Sequence, residues 1–277
     1  MAYTKTFTSD IIYGAALGVH NTIETLKCDI SQPNNTKPHA LFICNHGGGF
    51  FQGDKAGGMR PVFDSMVNQL GVTVVYPNYR LADINQFKNK TVAESTVLMH
   101  EAAFMAIEDS KALARYMLLN NYNIDPTQIW IGGVSAGGVI GMQAIHWDST
   151  EYDVTVDIDK CKNTSNGDRE IDFKGAIAFS GAIFTSSDID PITKPIIQWI
   201  GLKDTTLKPY GGSNHKCPYI GGIQVDDESE YYNNPIYTKI DPNAGHCGRI
   251  AGDPIGTAFA IQKAKTYFLN TLKTLIY

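Results

Sequence analysis

The sequence predicts an α/β fold, a mostly parallel sheet flanked by helices, and three observations lead there. Short apolar, β-branched runs alternate with helical patterns along the 277 residues. One long segment, Glu101 to Leu119, carries Ala102, Ala103, Ala106, Leu113, Tyr116 and Met117 at three- and four-residue spacing, the stripe of a helix packed on a sheet. A tight Gly-x-Ser-x-Gly turn then joins a strand-like run to a helix-like one.

Strands are expected at Thr22–Ile30, Ala40–Asn45, Thr73–Tyr76, Ile129–Val134, Gly175–Ser180, Ile196–Gly201 and Tyr237–Ile240. Further helices are expected from Ser135 to Trp147 and from Thr257 to Leu275. Pro61 suits the first turn of another helix, and Pro126 after Asp125 closes a turn. No repeat, low-complexity tract or linker divides residues 1–277, so one catalytic domain is expected. One segment breaks the alternation. Val154, Val156 and Ile158 alternate with Asp153, Asp157 and Asp159, a turn-rich stretch follows at 163–168, and then Ile171 and Phe173. That two-residue period predicts a β-hairpin inserted near residues 152–173, either a surface decoration or a flap beside the site.

Composition excludes some functions. Lys and Arg number 23 against 28 Asp and Glu, a net charge of −5 with no basic block, which argues against a dedicated nucleic-acid or anionic-membrane binder. The longest apolar stretches, Ile11–Val19 and Ala40–Cys44, fall short of the ~20 residues of a spanning helix, and glycine interrupts the first, a poor signal-peptide core. Five cysteines are too few for a disulfide scaffold, and the odd number leaves at least one unpaired within the chain. The Asn-x-Ser/Thr sequons at Asn34, Asn89 and Asn163 say little about compartment in so Asn-rich a chain.

The chemistry concentrates in a few places. Gly133-Val134-Ser135-Ala136-Gly137 follows the strand at Ile129–Ile131 and precedes a helical pattern, the setting of a nucleophile elbow that lifts Ser135 above the carboxyl edge of a sheet. His46-Gly47-Gly48-Gly49-Phe50 follows another strand, and consecutive glycines there leave backbone N–H groups free to face an oxyanion. A phosphate loop would instead open a helix with a Lys-Ser/Thr pair, which is missing. A serine needs a base and a carboxylate that orients it, each following a later strand. Asp204 ends the apolar run from Ile196, with Asp226, Asp227 and Asp241 as competitors, and His246 alone of seven histidines fits position and order. His215, Cys217, His246 and Cys247 lack the ligand spacing of a zinc site. Cys217 and Cys247 are either disulfide partners that pin the histidine loop or plain loop cysteines.

These residues resemble the α/β-hydrolase esterases of the HGGG type. The likeness runs through Asp10–Gly14, Leu26–Ile30, His46–Phe50, Tyr79-Arg80-Leu81-Ala82, Gly133–Gly138, Gly201–Asp204 and Gly245-His246. It implies a single-domain α/β-hydrolase fold in which Gly48, Gly49 and Ala136 supply the oxyanion N–H groups. The chain departs from the hormone-sensitive-lipase-like branch. Val134 stands where that branch has Asp, and 45 residues precede His46, fewer than that branch's helical cap needs, so a capless core is expected. In this it looks more like the feruloyl and acetylxylan esterases of plant-cell-wall degraders. Its Tyr-, Asn- and Thr-rich texture is similar to feruloyl esterases of gut anaerobes, including anaerobic fungi, which implies secretion.

The reading that results is a serine esterase releasing hydroxycinnamates from plant polysaccharides, through Ser135, His246 and Asp204, with no cofactor or metal. Its partner would be a small-molecule or oligosaccharide ester, with no nucleic acid and no membrane. Phe50, Phe51, Trp147 and Tyr219 are expected either to sandwich a phenolic ring or to serve packing alone. The alternatives are an acetylxylan esterase or general carboxylesterase with the same residues and, at a distance, a non-catalytic binding module. A peptidase usually needs an extra substrate-selecting domain.

Overall fold

The computed structural model describes residues 3–57, 60–147, 156–184, 194–215, 217–231, 234–247 and 262. The chain enters through two antiparallel strands, β1 (Lys5–Leu17) and β2 (Ile23–Pro33), and then alternates. β3 (His39–Asn45), α1 (Arg60–Leu70), β4 (Thr73–Pro77), α2 (Val92–Leu119), β5 (Ile124–Val134) and α3 (Ala136–His146) follow, with a 3₁₀ turn at Ile84–Phe87. After the short α4 (Ile158–Cys161) come β6 (Gly175–Phe179), β7 (Ala182–Ile183), β8 (Ile196–Gly201), β9 (Gly212–Asn214), β10 (Cys217–Gly221), α5 (Gly222–Tyr231) and β11 (Ile236–Asp241).

Eight strands form one sheet in the order β1-β2-β4-β3-β5-β6-β8-β11, parallel from β4 onward. β7, β10 and β9 make a small second sheet. The central strands are buried throughout, as strands covered on both faces must be. Successive residues alternate between two cores. Leu41 and Ile43 pack with α2 and α3, while Phe42 and Cys44 pack with Val62, Phe63, Met66 and Val67 of α1.

The seven strands expected from the sequence are present, most of them extended by one to a few residues. β1 was not expected. It is an edge strand whose first six residues are exposed, so no buried face marks it in the sequence. Helix α2 starts nine residues earlier than the apolar stripe suggests, because Thr91 and Glu94 form a capping box: Glu94 N–H donates to Thr91 Oγ1 at 3.2 Å, and Thr91 N–H to Glu94 Oε2 at 2.9 Å. The helix expected at Thr257–Leu275 lies outside the described residues, Gln262 apart.

The expected hairpin is corrected. Residues 148–155 lie outside the described residues, and 156–174 carry helix α4 and irregular chain without a strand. Side chains take the place of a partner strand. Arg115 donates to the carbonyls of Asn163, Ser165 (3.2 Å) and Arg169 (3.3 Å), and Arg80 Nη2 donates to that of Cys161 at 2.6 Å. Asn163, one of the sequon asparagines, is buried and donates to Asp109 Oδ1 at 2.7 Å.

Candidate active site

The strand order reverses between β3 and β5, which lie side by side with Asn45 opposite Gly133. In open α/β sheets such a switch point leaves a crevice at the carboxyl ends of the strands. The loops from both strand ends, His46–Phe50 and Ser135, meet there.

Ser135 holds a strained backbone, φ 56° and ψ −118°, at the start of α3. Its N–H donates to the Phe179 carbonyl at 2.8 Å, tying the turn to the end of β6. Asp204 and His246 are brought together by the parallel pair β8/β11. Leu202 N–H donates to Asp241 O and Lys203 N–H to Ala244 O, both at 2.9 Å, so the two strand ends travel together. His246 Nε2 then lies 2.8 Å from Ser135 Oγ, and His246 Nδ1 lies 2.7 Å from Asp204 Oδ2. The other oxygen of Asp204 accepts the N–H groups of Thr206 (2.8 Å) and Leu207 (2.9 Å), which fixes the orientation of the carboxyl group. Asp241 instead accepts from Asn243 N–H at 2.8 Å. Burial opposes a charge on His246, but the hydrogen bond that its Nδ1–H donates to Asp204, with a further contribution from the neighbouring Cys247, outweighs it and pushes its pKa up to about 10.

The glycine loop is braced from behind. Tyr79 OH donates to the His46 carbonyl at 3.0 Å, the two rings stack at 4.3 Å, and Ala82 N–H donates to Phe50 O at 2.9 Å. Gly48 takes φ +123°, and a Cβ there would overlap the carbonyl of Gln52. Burial lowers the pKa of His46, leaving a neutral ring whose Nδ1–H donates to Gly47 O at 2.8 Å. Arg80, fully buried, anchors the bracing segment through Asp109, with Nε at 3.0 Å and the backbone N–H at 2.8 Å.

A cleft of about 840 Å³ opens over these groups. Ser135, His246, Gly48, Gly49 and Ala136 line it, as do Phe50, Phe51 and Tyr219. Trp147 does not; its ring packs on His100 (5.6 Å) and Phe184 (6.1 Å), and Phe184 lines the wall in its place. Phe184, Met99, His215, Lys55 and Arg60 are lining residues that the sequence reading missed. Phe184 could have been flagged, since it closely follows the carboxyl end of a strand beside the elbow. All five cysteines are free. Cys217 belongs to the core on the α2–α3 face and Cys247 packs against the other, so of the two readings left open for this pair the disulfide is not formed. Among the described residues no group of three His, Cys, Asp or Glu could hold a metal ion, and no helix is long and apolar enough to cross a membrane.

Residues 42–159 match a family model described as an α/β hydrolase fold. No curated protein matches by sequence. Among solved structures, the butyrate-bound form of a thermophilic esterase from the planctomycete Thermogutta terrifontis superposes with a TM-score of 0.63 at 15% identity, covering 97% of this chain and 94% of that one. Esterase 2 of the same organism phosphoramylated by tabun gives 0.60 at 17% identity, covering 96% and 94%. The paraoxon-phosphorylated form gives 0.59 at 18%, with the same coverage. The chain therefore has an α/β-hydrolase fold.

Proposed function

We propose that this protein is a serine carboxylic ester hydrolase, and that its acyl group is a hydroxycinnamate such as ferulate carried on a plant polysaccharide. The observation behind the first part is the unbroken line from Asp204 through the His246 ring to Ser135 Oγ, with both contacts under 3 Å. In this reading His246 Nε2 takes the hydroxyl proton as Ser135 attacks the ester carbonyl. Asp204 accepts from Nδ1–H and stabilises the imidazolium that forms. The N–H groups of Gly48, Gly49 and Ala136 receive the charge developing on oxygen, each contributing ~10²–10³ in rate. His246 then protonates the departing alkoxide, and water returns the acyl-enzyme to free serine.

The acyl assignment draws on the cleft. Phe50, Phe51, Phe184 and Tyr219 supply flat apolar walls, and about 840 Å³ far exceeds what a short acyl chain fills. A general short-chain carboxylesterase is the second reading, favoured by the butyrate- and propionate-bound states of the structural neighbour. Rates on methyl ferulate, acetylated xylan and p-nitrophenyl butyrate separate the readings. A kcat/KM for methyl ferulate below that for the butyrate ester by about tenfold or more, ~1.4 kcal/mol, would remove the hydroxycinnamate assignment. Ser135→Ala should abolish the acylation burst on every ester; a retained burst would remove the esterase reading itself.

A further inference from the structure

The cleft has two chemically unlike ends. Phe50, Met99, Phe184 and Tyr219 belong to the core on the α2–α3 face, whereas Cys44 and Tyr76 belong to the core on the α1 face. The cleft therefore straddles the carboxyl edge of the sheet, with Ser135 and His246 lining the same space. Gln52, Asp54, Lys55 and Arg60 also line it, and Arg60, the first residue of α1, lies over Tyr76 and shares Asp29 with Lys55, which puts this polar stretch of wall at the α1 end.

Asp54, Lys55 and Arg60 are held in place. Asp29, 2% exposed, accepts Lys55 Nζ at 2.8 Å on one oxygen and Arg60 Nη2 on the other. The Arg60 guanidinium lies 4.4 Å over the Phe7 ring and 5.6 Å over that of Tyr76. Asp54 accepts Ala56 N–H at 2.7 Å and Asn78 Nδ2 at 3.0 Å. Arg60 Nε, shielded from solvent, has no hydrogen-bond partner among the described residues. A wall of cations alone would suit an anion. Here Asp29 behind the wall and Asp10, which accepts Lys55 Nζ at 3.0 Å, together with Asp54 on the wall itself, more than offset Lys55 and Arg60, so the wall carries no excess positive charge and sets the acceptor Asp54 beside the donors Lys55 and Arg60. Hydroxyl groups both donate and accept, and a polyhydroxylated ligand matches such a wall.

We infer that Gln52, Asp54, Lys55 and Arg60 form the subsite for a glycosyl alcohol, so that the sugar half of the ester lies on the α1 side while the acyl half lies against the aromatic walls. This rests on the ester-hydrolase reading above and adds which end takes which half.

The test compares two substrates that differ only in the alcohol, methyl ferulate and a feruloyl ester of a pentose disaccharide. The sugar ester should have the higher kcat/KM, by about tenfold, and Arg60→Gln should lower the ratio of the two about fivefold or more, chiefly through KM. Gln52→Ala removes an exposed side chain outside the ion cluster and should lower the ratio about threefold, which keeps the test open if Arg60→Gln does not fold. A wild-type ratio near one, or a ratio that stays the same in both variants, overturns the subsite. If neither ferulate ester is cleaved while p-nitrophenyl butyrate is, the acyl assignment is lost instead. The same ratio, measured with the butyrate esters of methanol and of the disaccharide, then decides the subsite alone.

Discussion

The carbonyl oxygen of Asn45 occupies the space that a Cβ on Gly137 would need, and it blocks Gly133 in the same way. The end of β3 is thus pressed against both sides of the Ser135 turn, with Gly133 also at φ +140°. Because the obstacle is backbone rather than a flexible side chain, Gly137→Ala should destabilise the fold by about 2 kcal/mol or more. Urea unfolding measures this; a midpoint equal to wild type would show that the two strand ends separate freely.

In the proposed mechanism Ser135 needs a neutral His246, whose pKa is pushed up to about 10, so activity should climb with pH through the neutral and into the alkaline range. Asp204→Asn removes the strongest of the raising interactions. The midpoint of the kcat/KM profile should move to lower pH while the plateau falls by ~10²–10⁴. The charged pair also stabilises the fold, fully below the unfolded-state pKa of about 6.5, and this contribution is lost as pH rises through about 10. Wild-type Tm should fall more steeply than that of Asp204→Asn across that interval.

Tyr79→Phe deletes only the hydroxyl that donates to the His46 carbonyl and keeps the ring stack. The loop carrying Gly48 and Gly49 should then lose alignment in the transition state. The expected result is kcat down by about fivefold to tenfold with KM changed less than twofold. Equal losses on KM would point to a ground-state role.

Asp109 accepts from the Arg80 backbone N–H, the Arg80 guanidinium and Asn163 Nδ2 inside the core. Asp109→Asn leaves a buried, uncompensated guanidinium and should cost about 3–5 kcal/mol. Chemical denaturation with a matched m-value checks it.

Phe184→Ala opens the wall that Trp147 supports from behind. The KM for methyl ferulate should rise about fivefold or more, against a smaller change for p-nitrophenyl butyrate. Trp147→Ala should act on the same substrates only through Phe184, and hence more weakly.

Signals that span a few consecutive residues were legible in the chain. The Ser135 turn, the glycine run after His46 and the buried strands each write their backbone needs locally, as small residues at a tight bend or β-branched runs bounded by turns. Contacts between distant segments were not. Asp204 stood among Asp226, Asp227 and Asp241 until β8 and β11 paired and carried it alone to His246. Ile158 counted toward a strand although it opens helix α4, and nothing near the turn-rich stretch that follows reveals that Arg115, some 50 positions away, takes the carbonyls of Asn163 and Ser165. Trp147 looked like a rim residue by its position after α3, yet its tilted packing on His100 and Phe184 turns it away.

By itself the sequence determined the α/β class, the tight turn at Ser135 and the glycine run after His46. Tertiary structure alone decided which carboxylate meets the imidazole, which aromatics face the cleft and that its α1 end is polar. The physical reason is range: backbone conformation follows from neighbouring side chains, whereas the chemistry of a cleft follows from which strand ends the sheet places side by side.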